Sequence, residues 1–288
     1  MSNLWSVTPG SPAPIVLSPL VRRMRAPNPS AMTGSGTNTY LVGTGEVAVI
    51  DPGPEDPAHI AAIVEAAGRE QVRWVLLTHT HSDHAPAAPR LARETGAQIL
   101  AYSGRQGMVT PHRTIGEGEL LKGGQPSGGR FTLEALHTPG HASNHLSFFL
   151  KEEHALFSGD LIMSGSTIVI APPDGDMAAY LRSLARLKQL PLARIYPGHG
   201  DVIDTPEAVI DEYIRHRLGR ERQVLAALRD GPRRIADMVP RIYPGLPGAL
   251  VPMAAMSVYA HLLKLKAEGK VTGTDHESDW RLVGELTQ

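Results

Sequence analysis

Along the first two hundred residues, apolar positions fall into short runs with the period of strands, separated by stretches with the period of helices. Thr39–Asp51 is two β-rich runs around Gly43-Thr44-Gly45, which reads as a hairpin. Pro54–Ala67 follows with Ile60, Ile63, Val64 and Ala67 at helical spacing. Val72–Thr78 is short and almost wholly apolar, as strands buried on both faces are. A helix over Ala87–Thr95, stopped by Gly96, and a strand over Gln98–Tyr102 close this first half. The same order then recurs. Leu146–Leu150 and Ala155–Asp160 flank Lys151-Glu152-Glu153 as a second hairpin that also ends in Asp, followed by a helix over Met177–Gln189 and a strand over Ala193–Tyr196. Two halves of this kind predict two sheets packed face to face with helices outside, a layered α/β (α+β) architecture. Residues 1 to about 35 are rich in Pro, Ser and Arg and read as an irregular arm or an edge strand.

Past residue 205 the texture becomes helical. Thr205-Pro206 opens a helix with an N-cap residue and a Pro at its first position, and it runs to about Arg229 before Asp230-Gly231-Pro232. Arg233–Ile242 and Met253–Glu268 are two further helices, in which Met253, Met256, Val258, Leu262 and Leu263 read as core. Gly269–Gly273 and Asp279–Val283 read as a small hairpin. The expected division is therefore 1–205 and 206–288, the second part a winged-helix-like domain.

Composition narrows the function classes. The 288 residues include no cysteine, which excludes disulfides, a thiol nucleophile and Cys-ligated zinc. A net charge of −1 gives no global field for nucleic acid or an anionic membrane. Beyond residue 205 there are 12 Lys and Arg against 11 Asp and Glu, so any polyanion contact there must be local, with Arg215, Arg217, Arg220 and Arg222 as the candidate stripe. No apolar run approaches the roughly 18 residues of a membrane span. The first residues lack the basic start and apolar core of a secretory signal. The expectation is a cytoplasmic protein with no membrane partner.

The histidines carry the chemistry. His79-Thr80-His81-Ser82-Asp83-His84 places three imidazoles and a carboxylate directly after a buried strand, and strand ends are where α/β sheets present ligands. These donors suit zinc, manganese or iron(II), and fanned apart they can serve two ions. His141 ends His137-Thr138-Pro139-Gly140-His141, Asp160 closes the second hairpin, and His199 lies in Tyr196-Pro197-Gly198-His199-Gly200. A Gly before His141 and before His199 allows close approach to a ligand.

In this order these elements, with Asp51 as the first, resemble the signature of the metallo-β-lactamase family over about residues 30–205. That resemblance implies an αβ/βα four-layer sandwich with a dinuclear site at one sheet edge. It further implies His79, His81 and His141 on the first ion, Asp83, His84 and His199 on the second, Asp160 between them, and Asp51 orienting the histidine loop. Gly36–Gly43, Phe157-Ser158-Gly159-Asp160 and the helix bearing Tyr213-Ile214-Arg215-His216-Arg217 extend the similarity to the β-lactamase-like protein 2 family of endoribonucleases. Thr80 stands where those relatives carry an aromatic residue. The implied activity is a dinuclear metal-dependent hydrolase or phosphodiesterase, with two Zn2+ (or Mn2+ or Fe2+), cleaving single-stranded RNA through a metal-bridging hydroxide. The alternative is a glyoxalase II-like thioesterase or another small-molecule ester or acyl hydrolase, although Ala85-Pro86-Ala87 stands where that group carries Gly-Gly. Asp83 would orient the hydroxide and accept its proton, and His145 is the candidate proton donor to the leaving group, with a hydrogen-bonded supporting role as the other reading. A homodimer is in keeping with the fold.

Overall fold

The computed structural model describes residues 13–102, 109–125, 128–231 and 233–284. The reading of residues 1–12 as part of an arm lies outside them. Contacts divide the chain into two compact units. The first holds the described parts of Met1–Thr138 with Asn144–Thr167 and Pro191–Pro206, and the second holds Pro139–Ser143, Ile168–Leu190 and the described part of Glu207–Gln288.

The first unit is built on two sheets. Strands β1 (Ile15–Val16), β2 (Val21–Arg25), β3 (Asn38–Val42), β4 (Glu46–Ile50), β5 (Gln71–Leu76), β6 (Gln98–Tyr102) and β7 (Arg113–Ile115) pair in chain order. Pairing is antiparallel up to β4 and parallel from β4 to β7. The second sheet has the order β12 (Arg194–Pro197), β11 (Ala155–Gly159), β10 (Leu146–Leu150), β9 (Gly128–His137), β8 (Leu120–Gln125). Strand period explains the layering. On the first sheet Tyr40, Val42, Ala48, Ile50, Trp74 and Leu76 turn inward and meet Phe131, Leu133, Ala135, Phe148 and Phe157 of the second. The alternate residues Leu41, Val47, Val49 and Val75 pack under helices α1 (Pro57–Ala67) and α2 (Ala88–Thr95). Helix α1 starts where Asp56 caps it, its carboxylate accepting from His59 N at 2.7 Å. The predicted hairpins and strands are thus present. The sequence did not separate β7, β8 and β9, because Gly123-Gly124 and Gly128-Gly129 interrupt the alternation of Phe131, Leu133 and Ala135.

The second unit contains α3 (Met177–Leu187), α4 (Pro206–Ala227), α5 (Ile235–Ile242), α6 (Val251–Ala267) and the paired β13 (Val271–Thr272) and β14 (Arg281–Leu282). Val224, Met238, Val258, Leu262 and a fully buried Trp280 form its core. The sequence divided the chain once, after residue 205, whereas α3 and the Pro139–Ser143 turn group with the second unit. The cause is local: α3 packs against α6, and Ser183 Oγ donates to Pro139 O at 2.7 Å. The Arg stripe is not built. Arg217 is buried, and Arg220 lies 4.1 Å over the Tyr243 ring and donates to Ile242 O at 2.8 Å, leaving Arg215 and Arg222 exposed. Against the expectation of no membrane-length apolar run, one helical stretch reaches that length. Gly248–Ala267 is long and apolar enough to span a bilayer by composition, with mean hydropathy 1.3, although Ala254, Val258, Leu262 and Leu265 face the unit's core.

Phe148→Ala removes a fully buried ring from between the two sheets. It should lower unfolding free energy by about 3–5 kcal/mol in urea denaturation. A loss under about 1 kcal/mol would contradict this packing.

Candidate metal centre

The site forms where the strands of both sheets end. Chain leaves β5 at Leu76, and Thr78 to His84 make a tight loop in which His84 N and Ala85 N both donate to His81 O at 3.1 Å. Asp51 follows β4 with φ +48, a conformation that non-Gly residues seldom adopt. The geometry shows what that strain secures. Its Oδ1 accepts from Thr78 N at 2.8 Å, and its Oδ2 accepts from Thr78 Oγ1 at 2.7 Å and faces His84 Nδ1 at 2.9 Å. Asp51 therefore holds the loop by its backbone and by one imidazole, the role the family resemblance implies for it.

These contacts decide tautomers. Thr78 Oγ1 gives its proton to Asp51, so it can only accept from His79 Nδ1, 3.0 Å away. His84 donates Nδ1–H to Asp51. His199 Nδ1 lies 3.4 Å from Gly36 O and donates to it. In the neutral form each ring then keeps its proton on Nδ1 and leaves Nε2 as the nitrogen a metal ligand would use. The His199 turn is clamped from β3, where Asn38 Nδ2 donates to Pro197 O at 3.0 Å and to Gly200 O at 2.9 Å.

Asp83, His84, Asp160 and His199 converge with one ligand atom each. His84 Nε2 lies 3.3 Å from His199 Nε2, 3.3 Å from Asp160 Oδ1 and 3.5 Å from Asp83 Oδ2. His199 Nε2 lies 3.3 Å from Asp160 Oδ1 and 3.2 Å from Asp83 Oδ2. These are five of the six separations among four ligand atoms that all lie within 4.8 Å of one another. An ion bound tetrahedrally at about 2.0–2.1 Å sets its ligands about 3.3–3.4 Å apart. The donor set and its spacing fit a divalent metal. His79 and His81 form a further pair of candidate ligands in this unit. In it His79 Nε2 and His81 Nδ1 are 3.0 Å apart. His141 Nδ1 donates to Val169 O at 2.8 Å.

Gly198 has the role foreseen for it: a Cβ there would lie 2.8 Å from Asp160 Oδ1 and 2.9 Å from His84 Cε1. Gly140 has a different one. A Cβ on it would meet Tyr180 Cα at 2.4 Å, so this glycine seats the turn on α3.

Electrostatics follow the geometry. Burial alone would raise the carboxylates and lower the imidazoles. The opposite happens, because each group faces opposite charges. His199 and His84 hold Asp160 well below the usual carboxylate range, and His84 with His199 takes Asp83 to about 2. Against the same burial, Asp160 and Asp83 raise His84 well above its ordinary value, and Asp160 with Asp83 raises His199 to about 9.

Of the two readings of His145, proton donor or hydrogen-bonded support, its surroundings match the second. It is fully buried, its Nε2 accepts from Asp160 N at 3.1 Å, and its Nδ1 lies 2.9 Å from Thr138 Oγ1. Both nitrogens are engaged with protein atoms, and the ring steadies the Asp160 backbone. Sequence reasoning also passed over Thr78, whose only signal is a hydroxyl closing an apolar strand.

A layered two-sheet core with this His/Asp constellation at its edge defines a class, the metal-dependent hydrolases of the metallo-β-lactamase fold. The family model described as Metallo-beta-lactamase superfamily matches residues 32–199, and that described as Beta-lactamase associated winged helix domain matches 235–280. The chain belongs to the metallo-β-lactamase superfamily. It is 33% identical over 279 residues to the Beta-lactamase-like protein 2 homolog of Caenorhabditis elegans, covering 93% of this chain and 91% of that one. It is 37% identical over 223 residues to an Atrochrysone carboxyl ACP thioesterase of Aspergillus chevalieri, covering 76% and 69%. A metallo-beta-lactamase family protein from Thermus thermophilus has a similar structure, with TM-score 0.75, 24% identity, and coverage of 93% and 100%.

With metal removed, the raised His199 adds stability that is complete below its ordinary value of 6.5 and is lost as pH rises through about 9. Chelator-treated protein should melt at falling temperature across that window in scanning calorimetry. A flat Tm from pH 6.5 to 9 would refute the charge arrangement.

Proposed function

We propose that the chain is a dinuclear hydrolase of phosphodiester bonds in single-stranded RNA. In this reading His79, His81 and His141 hold one ion, Asp83, His84 and His199 hold the other, and Asp160 serves both. The observation that carries it is the cluster of four ligand atoms, 3.2–3.5 Å apart along five of their six separations, into which both imidazoles turn Nε2. Divalent ions held there supply Lewis acidity and acidify bound water towards a pKa of about 7. Zinc suits the tetrahedral set, and manganese or iron(II) accept the same donors.

The protein's own contribution is positioning. Asp83 stays ionised at neutral pH, a quarter exposed, and so presents charge at the edge of the cluster that solvent and substrate reach. Asp51, through Thr78, keeps the histidine loop rigid, and the His145 ring steadies Asp160 from behind. The RNA reading is supported by similarity to the β-lactamase-like protein 2 relatives over nine-tenths of both chains, winged-helix region included. A second reading, hydrolysis of acyl thioesters, is favoured by the relative whose printed name is a carboxyl ACP thioesterase. Both substrates present an electrophilic centre and an oxygen that gains charge during attack, so one centre suits either.

The test is cleavage of end-labelled single-stranded RNA by zinc- or manganese-loaded protein, with metal content measured. Asp160→Ala and His199→Ala should each reduce turnover by at least about 10²–10³-fold. Near-wild-type rates in both variants would sink the dinuclear assignment. An intact RNA, with two ions bound and an acyl-thioester turned over, would move the substrate to thioesters.

A further inference from the structure

His141 is carried on a turn whose backbone anchors lie in the second unit. Ser183 Oγ donates to Pro139 O at 2.7 Å, Asp176 N donates to Gly140 O at 2.8 Å, and Ser143 N donates to Asp174 Oδ2 at 3.1 Å. These bonds fix the backbone of the turn but do not orient the imidazole. A further contact does so, Nδ1–H to Val169 O at 2.8 Å. That bond directs the Nε2 lone pair away from Val169, so the direction of the Val169 carbonyl decides where His141 can ligate.

The Val169 carbonyl belongs to an irregular segment between Thr167 and α3, with no strand or helix to fix it. A side chain from α4 supplies the constraint. Arg217 is 3% exposed, and its Nη2 donates to Ile168 O. Its guanidinium stacks 5.3 Å over the Tyr180 ring, on the same α3 that carries the His141 turn. Ile168 C=O is part of the peptide plane that leads into Val169, so holding it limits how Val169 can turn. Ile168 and Ile170 are themselves buried on either side. Arg217 Nε has no acceptor, so this cation is buried without full satisfaction of its donors. Burial of that kind is costly and calls for a role beyond packing.

We propose that Arg217 is a positioning residue for His141, acting through the Ile168–Val169 backbone to set the ligating direction of the ring. This rests on the reading of His141 as a metal ligand. Arg217 touches neither ion nor substrate. It places a requirement of the metal centre on a helix that the sequence assigned wholly to the C-terminal domain.

The experiment compares full-length wild type, Arg217→Met, Arg217→Lys and His141→Ala after chelation. Cobalt(II) is titrated calorimetrically, and the imidazole N–H resonances are followed by NMR in the metal-free state. Arg217→Met should weaken the ion that His141→Ala loses by about 10–100-fold, leave the other ion unchanged, and abolish the slowly exchanging His141 Nδ1–H signal. Arg217→Lys, which keeps a donor with different reach, should lie between. Wild-type affinities and an intact Nδ1–H signal in both variants overturn the proposal. If wild type binds fewer than two ions, the dinuclear reading fails, while the Nδ1–H signal still decides the role of Arg217. If the Met variant does not fold, the Lys variant decides on the same two readings.

Discussion

Two carboxylates and two imidazoles drawn out of water onto one small volume would repel or protonate unless positive charge stood among them. Desolvating each ion costs several kcal/mol, and attraction to a centre of opposite sign is what offsets it. Much of the rest of the molecule serves that requirement. Asp51 holds an unfavourable backbone angle to grip Thr78 and His84, Gly198 gives up a side chain so that Asp160 and His84 can approach, and Asn38 pins the turn that carries His199. The two-sheet core does the coarse work by bringing β5, β11 and β12 to end at one edge.

The hydrogen bonds at this edge form a coherent set. Three histidines give Nδ1–H to a carboxylate or carbonyl oxygen: Asp51 for His84, Gly36 O for His199 and Val169 O for His141. His79 gives its proton to Thr78, which passes one to Asp51. His145 is the inverse case. Accepting at Nε2 from a backbone N–H, it turns its basic atom towards the protein, which separates it from the candidate ligands.

Much of this was legible in the sequence, for identifiable reasons. The candidate ligand positions sit in short motifs at strand ends, where local pattern and the family resemblance both point to them. The sheet halves were readable where apolar alternation was clean, as in Thr39–Asp51, and lost where paired glycines interrupted β8 and β9. What could not be read was the orientation of a side chain relative to distant backbone. Arg217 looks like any surface arginine on a polar helix, and only the fold shows that its partners are Ile168 O and the Tyr180 ring. His145 fell to the same difficulty: proximity to the site was evident, but which atoms its nitrogens would meet was not.

The four converging ligand atoms come from positions 83, 84, 160 and 199. Three separate strand ends must be in register before they meet, and the last of them is synthesised more than a hundred residues after the first. Contacts so distant in the chain form late, after the loops between them have closed. An emerging chain therefore offers a cation loose donors such as the His79–His84 cluster, a flexible and weaker trap, until the second sheet docks. Metal selection is thereby postponed to the folded state, where rigid spacing rather than the abundance of loose imidazoles decides which ion stays.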